Sequence, residues 1–269
     1  MVMNVPQKIA LGFFAIVVAL WASLFFSHTT AGFYNYLYSF LFGLIPFFSG
    51  IAAMHFAHMW GGFKSAVGKA VFFIGLGIFC WGMGENIWSF YNFVLNIPAP
   101  YPSLADIGFA PSIFFYGLGA VYLSRATGAK YALRNRNVRA LAMLAPFVIF
   151  AIAYYLLVIV ARGGVLVPEG DGVLKTILDI VYPLGGFVGL TVAVLVSSLS
   201  FKYLGGRYVW DIYSILAGLF VMFVADIVFS YTTTVGTYYN ANFGDLLLAT
   251  GMFLLSWGVL GFKTVKGSD

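Results

Sequence analysis

The chain has 269 residues, of which 62% are hydrophobic and 9% charged, with a mean hydropathy of +0.95. A soluble domain carries about 25% charged residues, so so few charges exclude a water-covered globular enzyme or binding domain of this size. The net charge of +5 is not read as a nucleic-acid footprint, because its distribution follows the membrane rule described below. Cys80 is the single cysteine, which excludes an internal disulfide and a cysteine-rich metal site.

Apolar runs of about 20 residues match a hydrocarbon layer of roughly 30 Å. They do not alternate as barrel strands would, which leaves helices as the spanning element. In chain order the sequence predicts eight spans, at 9–27, 33–60, 70–95, 105–125, 139–161, 174–201, 208–231 and 243–262. The first is too long for a signal peptide and has no small-residue cleavage site. Pro46, Pro111 and Pro183 are expected to kink their spans. Gly185-x-x-x-Gly189 and the glycines at 117, 119, 258 and 261 suit close helix approach. The connections are short, and the seven residues after Phe262 hold no output domain. The expected architecture is therefore all-α: a single integral membrane domain over 1–269 with eight transmembrane helices.

Orientation follows from lysine and arginine in short loops. Twelve of the fourteen fall on one side: Lys8, Lys64, Lys69, Arg125, Lys130, Arg134, Arg136, Arg139, Lys202, Arg207, Lys263 and Lys266. Arg162 and Lys175 fall on the other. Both termini are then expected to be cytoplasmic, in the inner (plasma) membrane of a prokaryotic cell. Seven of the nine acids (Glu85, Asp106, Glu169, Asp171, Asp179, Asp226 and Asp245) fall towards the outer side. Asp211, at the inner start of span 7, reads as a helix cap.

The two halves, about 1–130 and 131–269, resemble each other. Span 3 carries Glu85-Asn-Ile-Trp-Ser-Phe-Tyr91, and Asp106 opens span 4, 21 residues on. Span 7 carries Asp226-Ile-Val-Phe-Ser-Tyr231, and Asp245 opens span 8, 19 residues on. Each intramembrane acid has an aromatic three residues later (Trp88, Phe229) and a serine four later (Ser89, Ser230). Ile45-Pro-Phe-Phe-Ser-Gly50 and Tyr182-Pro-Leu-Gly-Gly186 occupy spans 2 and 6. A unit of four spans keeps the same orientation, so the expected repeat is parallel, 4+4.

Ser103-x-x-Asp106 and Asn242-x-x-Asp245 have the spacing of helix N-terminal caps, and either acid suits the positive end of a helix. Glu85, Asp179 and Asp226 lie within spans, where ionisable groups face the bundle interior or a wet cavity. Lys175 stands four residues before Asp179 and is expected to pair with it. Glu85 and Asp226 have no basic residue at their depth, which leaves interhelical hydrogen bonding or an outward-facing acidic-aromatic pocket for a cation, amine or proton. The candidate ligand-binding residues are Glu85, Trp88, Ser89, Tyr91, Asp106, Asp226, Phe229, Ser230, Tyr231 and Asp245. Tyr34, Tyr36, Tyr38, Tyr91, Tyr101, Tyr231, Tyr238 and Tyr239 crowd the same side, as interfacial anchors or as an aromatic mouth for organic cations. His55 and His58 share one face of span 2 but have only His28 elsewhere, so they read as interfacial residues rather than metal or haem ligands. No catalytic triad spacing, phosphate loop or zinc motif is visible. No metal, cofactor or enzymatic activity is expected.

Pro102-Ser-Leu-Ala-Asp106, the aromatic–proline stretch after it and Gly117-Leu-Gly119 resemble the multispan sensory module at the N-terminus of bacterial diguanylate cyclases and some histidine kinases. Tyr182-Pro-Leu-Gly185 and the Asp226 and Asp245 positions extend that resemblance over spans 2 to 8. Gly186 departs from it, standing where the module usually has an acid. The resemblance implies a stand-alone sensory or ligand-binding module that signals to a separate cytoplasmic or membrane partner through basic inner loops. Two other readings stay open: a cation, proton or small-amine transporter or channel, and a non-catalytic scaffold subunit of a membrane complex. The expected surroundings are the lipid bilayer, with room for an oligomer and no nucleic acid.

Overall fold

The computed structural model describes residues 3–127, 134–165, 172–179, 181–182 and 208–263. No strand occurs among them. The helices are α1 (Val5–Phe26), α2 (Phe33–Met59), α3 (Ala66–Phe93), α4 (Asp106–Ala126) and α5 (Arg136–Tyr154). The wider turns of Tyr155–Val160 continue α5. Then come α6, described over 173–179, α7 (Val209–Thr234) and α8 (Phe243–Gly261). Six of these helices, α1 to α4, α7 and α8, are long and apolar enough to cross a membrane. The protein is thus multi-pass by helix length and composition. Most of the expected span at 174–201 lies outside the described residues, as do Pro183, Gly186 and the Gly185–Gly189 pair.

Helix starts are set by local chemistry that hydropathy alone misses. Asn4 accepts from the Gln7 amide at 3.0 Å, and Gln7 Oε1 accepts from the Asn4 amide at 3.2 Å. This reciprocal cap starts α1 four residues before its apolar run. Ser65 Oγ accepts from the Gly68 amide at 2.8 Å, so α3 likewise begins at Ala66 rather than residue 70. Pro46 and Pro111 sit inside α2 and α4, and Pro146, not singled out from sequence, sits inside α5.

The tightest packing is between consecutive antiparallel helices, and glycines permit it. A Cβ on Gly50 would strike the Gly75 carbonyl, and one on Gly82 would strike the Phe47 backbone, so α2 and α3 touch main chain to main chain. The α3–α4 and α7–α8 pairs use one pattern. Gly77 and Gly218 each stand eight residues before the acid of their helix. A Cβ there would press on Tyr116 and the Ser112 carbonyl, or on Leu255 and the Gly251 carbonyl. Tyr116 and Leu255 both lie ten residues after the next helix's acid, and Ser112 and Gly251 both lie six after it. Gly119 and Gly258, thirteen after it, meet Ile74 and Ile215, each eleven before the first acid.

The ends of the bundle differ. At the lower end, Trp60 Nε1 donates to the Phe262 carbonyl at 2.7 Å, Tyr208 stacks on Phe262, and Lys69 and Arg125 both lie over the Tyr122 ring. At the upper end, the 235–242 connection is held by Trp21 Nε1 on the Asn242 carbonyl (3.1 Å) and Asn35 Nδ2 on the Asn240 carbonyl (2.8 Å). Asp211 does not cap α7, which has no side-chain cap. It is buried in the first turn, where its Oδ1 accepts from Gln7 Nε2 of α1 at 3.0 Å.

Candidate functional site

Near the upper end, α3, α4, α7, α8, their connections and Tyr182 enclose a cavity of about 50 Å³. That holds a few waters, at about 10–15 Å³ for each. It is far below the roughly 300–1,000 Å³ of a drug-sized pocket. Four carboxylates line it, one from each of four helices: Glu85, Asp106, Asp226 and Asp245. Trp81, Trp88, Tyr101, Phe109, Tyr116, Tyr182, Phe229 and Tyr238 supply aromatic walls, and no basic side chain lines it among the described residues.

The four acids fall into two kinds. Asp106 Oδ2 accepts from the Ser103 amide at 2.7 Å, and its Oδ1 accepts from the Tyr182 hydroxyl. Asp245 Oδ2 accepts from the Ala241 amide at 2.7 Å, and the Tyr238 hydroxyl donates to Asp245 at 3.2 Å. The Asp245 amide in turn donates to Asn242 Oδ1 at 3.0 Å. Both are therefore helix-terminal carboxylates with backbone and phenol donors; Asn242 caps α8 as its spacing predicts, whereas Ser103 does not cap α4, whose N-cap position is Ala105 with no side-chain cap. Glu85 and Asp226 have no hydrogen bond or ion pair to a described residue. Glu85 is only 6% exposed and lies against α2, where a Cβ on Gly43 would come 2.6 Å from its Cγ.

The aromatic walls are interlocked. Trp88 meets Phe229 at a ring separation of 6.3 Å and Tyr238 at 6.0 Å, and Tyr101 meets Phe229 at 5.3 Å. Trp88 Nε1 donates to Asn240 Oδ1 at 3.2 Å, and the single Tyr238 hydroxyl proton is shared between Asn240 Oδ1 and Asp245, each 3.2 Å away. Burial first, then the Asp245 and Glu85 carboxylates, push the Tyr238 phenol up from its ordinary value. Burial and then Asp179 do the same to Tyr101. Both stay neutral donors across the ordinary pH range.

Of the ten residues singled out from sequence, the cavity brings together six: Glu85, Trp88, Asp106, Asp226, Phe229 and Asp245. Ser89 and Ser230 are buried one turn above the bare acids and do not line it. Tyr91 is half-buried and Tyr231 is 37% exposed, both away from the cavity. Asp179 is paired with Arg162, from the end of α5, and accepts from the Tyr101 hydroxyl at 2.7 Å. The sequence expectation had been Lys175. His28, His55 and His58 are exposed, and no group of three or more metal-ligating side chains occurs among the described residues.

Sequence reasoning missed Trp81 and Met222, although each stands four residues before its helix's acid and so shares its face. Tyr38, grouped there with surface tyrosines, is fully buried and donates to the Asp245 carbonyl at 3.0 Å. No protein-family model, curated protein or solved structure matches this chain.

Proposed function

We propose that this protein is a membrane sensory module whose upper cavity takes a small cationic ligand and passes the change to a separate partner. The observation that carries this reading is four carboxylates converging, with eight aromatic rings and no base among the described residues, on one small space. Glu85 and Asp226 supply carboxyl oxygens that no described residue engages. The rings add attraction through their faces. Asp106 and Asp245 are already committed to phenol and backbone donors, so they shape the site and set its field. A ligand that draws Glu85 and Asp226 together favours one packing of α3 against α7 over another.

Eight spans, a parallel 4+4 repeat and cytoplasmic termini belong to the same proposal. The matched offsets of Gly77 with Gly218 and of Gly119 with Gly258 support the repeat. Lys8, Lys64, Lys69, Arg125 and Lys263 cluster at the lower end, which supports reading that end as the cytoplasmic one. The resemblance to the sensory module of diguanylate cyclases and histidine kinases rests on its short motifs.

Sensing is favoured over transport by what lies beneath the cavity. Ile74, Ile78, Ile215, Met252, Leu255 and Val259 are all fully buried and apolar. Among the described residues they form an apolar layer between the four acids and the lower end, in which a cation would find no carboxylate.

The test is titration of the purified protein in detergent with methylammonium and tetramethylammonium, followed by the fluorescence of Trp81 and Trp88. Saturable quenching by methylammonium, lost in the Glu85→Gln/Asp226→Asn double variant, is the expected result. Equal responses from wild type and the double variant would overturn the reading. Flux of methylammonium in proteoliposomes would replace sensing by transport.

A further inference from the structure

Above Glu85, the α2–α3 seam holds buried polar atoms that no described residue satisfies. Asn35 (1% exposed), Ser39 (1%), Ser89 (3%) and Asn92 (1%) lie deep in the bundle. Asn35 Oδ1, Ser39 Oγ, Ser89 Oγ and both amide atoms of Asn92 have no hydrogen-bond partner among the described residues. Buried polar groups are nearly always paired with protein or ordered water. An unpaired one inside an apolar bundle is costly.

Their arrangement is linear. Gly43 faces Glu85 across the seam, and Gly82 faces Phe47, which fixes the antiparallel register of α2 and α3. Tyr36 against Phe93, with ring centroids 6.1 Å apart, continues it upward. One turn above Gly43 is Ser39, and one above that is Asn35. On α3, Ser89 and Asn92 stand four and seven residues beyond Glu85, on its face. Each turn rises about 5.4 Å, so the four side chains ladder from Glu85 to the upper end. There Asn35 Nδ2 donates to the carbonyls of Thr29 (3.0 Å) and Asn240 (2.8 Å).

We infer that this seam is a hydrated passage, lined by Asn35, Ser39, Ser89 and Asn92, that exchanges protons between the upper surface and Glu85. Each hydroxyl and amide anchors a water, and a buried water typically makes about three hydrogen bonds. A proton moves along this chain by breaking an O–H bond in one water as the next forms. The last transfer puts it on a Glu85 carboxylate oxygen and leaves a neutral water, and release reverses every step. The groups that bear on Glu85 are Tyr38 on α2, Tyr238 in the upper connection, Asp245 on α8, and Asp106 and Asp226 across the cavity. All but the two tyrosines are acids. Proton binding at Glu85 therefore relieves repulsion within the set and stands in for the cationic ligand of the proposed function, on which the inference rests.

Infrared spectroscopy of the reconstituted full chain at acidic pH tests this. The carboxylic C=O band that Glu85→Gln removes is followed after a switch from H₂O to D₂O. In wild type the band is expected to shift within the mixing time. In Ser39→Ala/Asn92→Leu the shift is expected to be at least tenfold slower, while Phe48→Leu, on an exposed site of α2, exchanges as wild type. Should the double variant fail to fold, Ser39→Ala and Ser89→Ala singly are expected to slow exchange severalfold. Exchange at the wild-type rate in every folded seam variant would overturn the passage. Seam-dependent exchange without methylammonium binding would sustain the passage and sink the organic-cation reading alone.

Discussion

The α3–α4 and α7–α8 pairs use one packing scheme to different ends. Both place glycines at matched distances from an acid, and both open the second helix with an aspartate that accepts from a backbone amide and a phenol. They differ in where that aspartate finds its phenol. Asp245 takes Tyr238 from its own connection, seven residues away, while Asp106 takes Tyr182, 76 residues away. The bare acids differ as well. Glu85 packs its Cγ against α2 at Gly43, whereas Asp226 is less deeply buried. Helix pairing is thus a local property of each pair, but the site is assembled only when distant helices lend side chains. α3–α4 depends on that loan more than α7–α8 does.

The largest effects should come from breaking the shared packing. Gly119→Val and Gly258→Val each force a side chain onto the main chain of the partner helix. Each should cost about 1–3 kcal/mol, the usual range for overpacking, in denaturant titrations of the detergent-solubilised protein. Similar losses would sharpen the equivalence of the pairs, and a loss at only one would break it.

Next are the caps. Asn242→Ala removes the side chain that receives the Asp245 amide and should cost about 1 kcal/mol. Ser103→Ala should cost less, because its hydroxyl receives only the Ala105 amide, at 3.2 Å, outside the helix. The same unfolding titrations decide; a larger loss at Ser103 would reverse the ranking.

The phenols distinguish the pairs by pH. Tyr101 and Tyr238 are raised by burial and then by neighbouring carboxylates. In the unfolded chain a tyrosine ionises near pH 10. Above that pH the unfolded chain releases protons that the folded protein keeps, so stability falls as pH rises. The slope of stability against pH beyond 10 should flatten in Tyr101→Phe/Tyr238→Phe.

The smallest effect is a gain. Ala241 is a buried non-glycine residue at φ 69° in the α7–α8 connection. Left-handed backbone costs an L-residue about 1–2 kcal/mol, and glycine's extra freedom when unfolded offsets part of the relief. Ala241→Gly should raise stability by about 0.5 kcal/mol, read as a shift in the denaturation midpoint. No such position is described in the α3–α4 connection at the matching place.

The sequence carries much of this, and the physics explains which part. Intramembrane acids announce themselves because charge in an apolar run is costly, so Glu85 and Asp226 stood out. The spacing of an acid three residues after a serine or asparagine is local, so Asp106 and Asp245 were legible as helix-terminal acids. Tyr182 was not, because a hydrogen bond across 76 residues leaves no periodic trace. Arg162 escaped for a similar reason: Lys175 sits on the same turn as Asp179, and the residue that pairs arrives from another helix. The helix starts at Val5 and Ala66 were misplaced because hydropathy registers apolar length, not the polar side chains that begin a helix.

Gln7 gives the bundle a temporal order. Its amide reaches Asp211 on α7 and the Trp257 carbonyl on α8, and Asn4 reaches the Leu260 carbonyl. Translation at roughly 5–20 residues per second therefore leaves α1 waiting on the order of tens of seconds before α8 emerges. During that interval the Gln7 amide has neither Asp211 nor the Trp257 carbonyl as a partner. α1 is made long before α8 and is locked only after it, so these bonds mark a bundle that has closed.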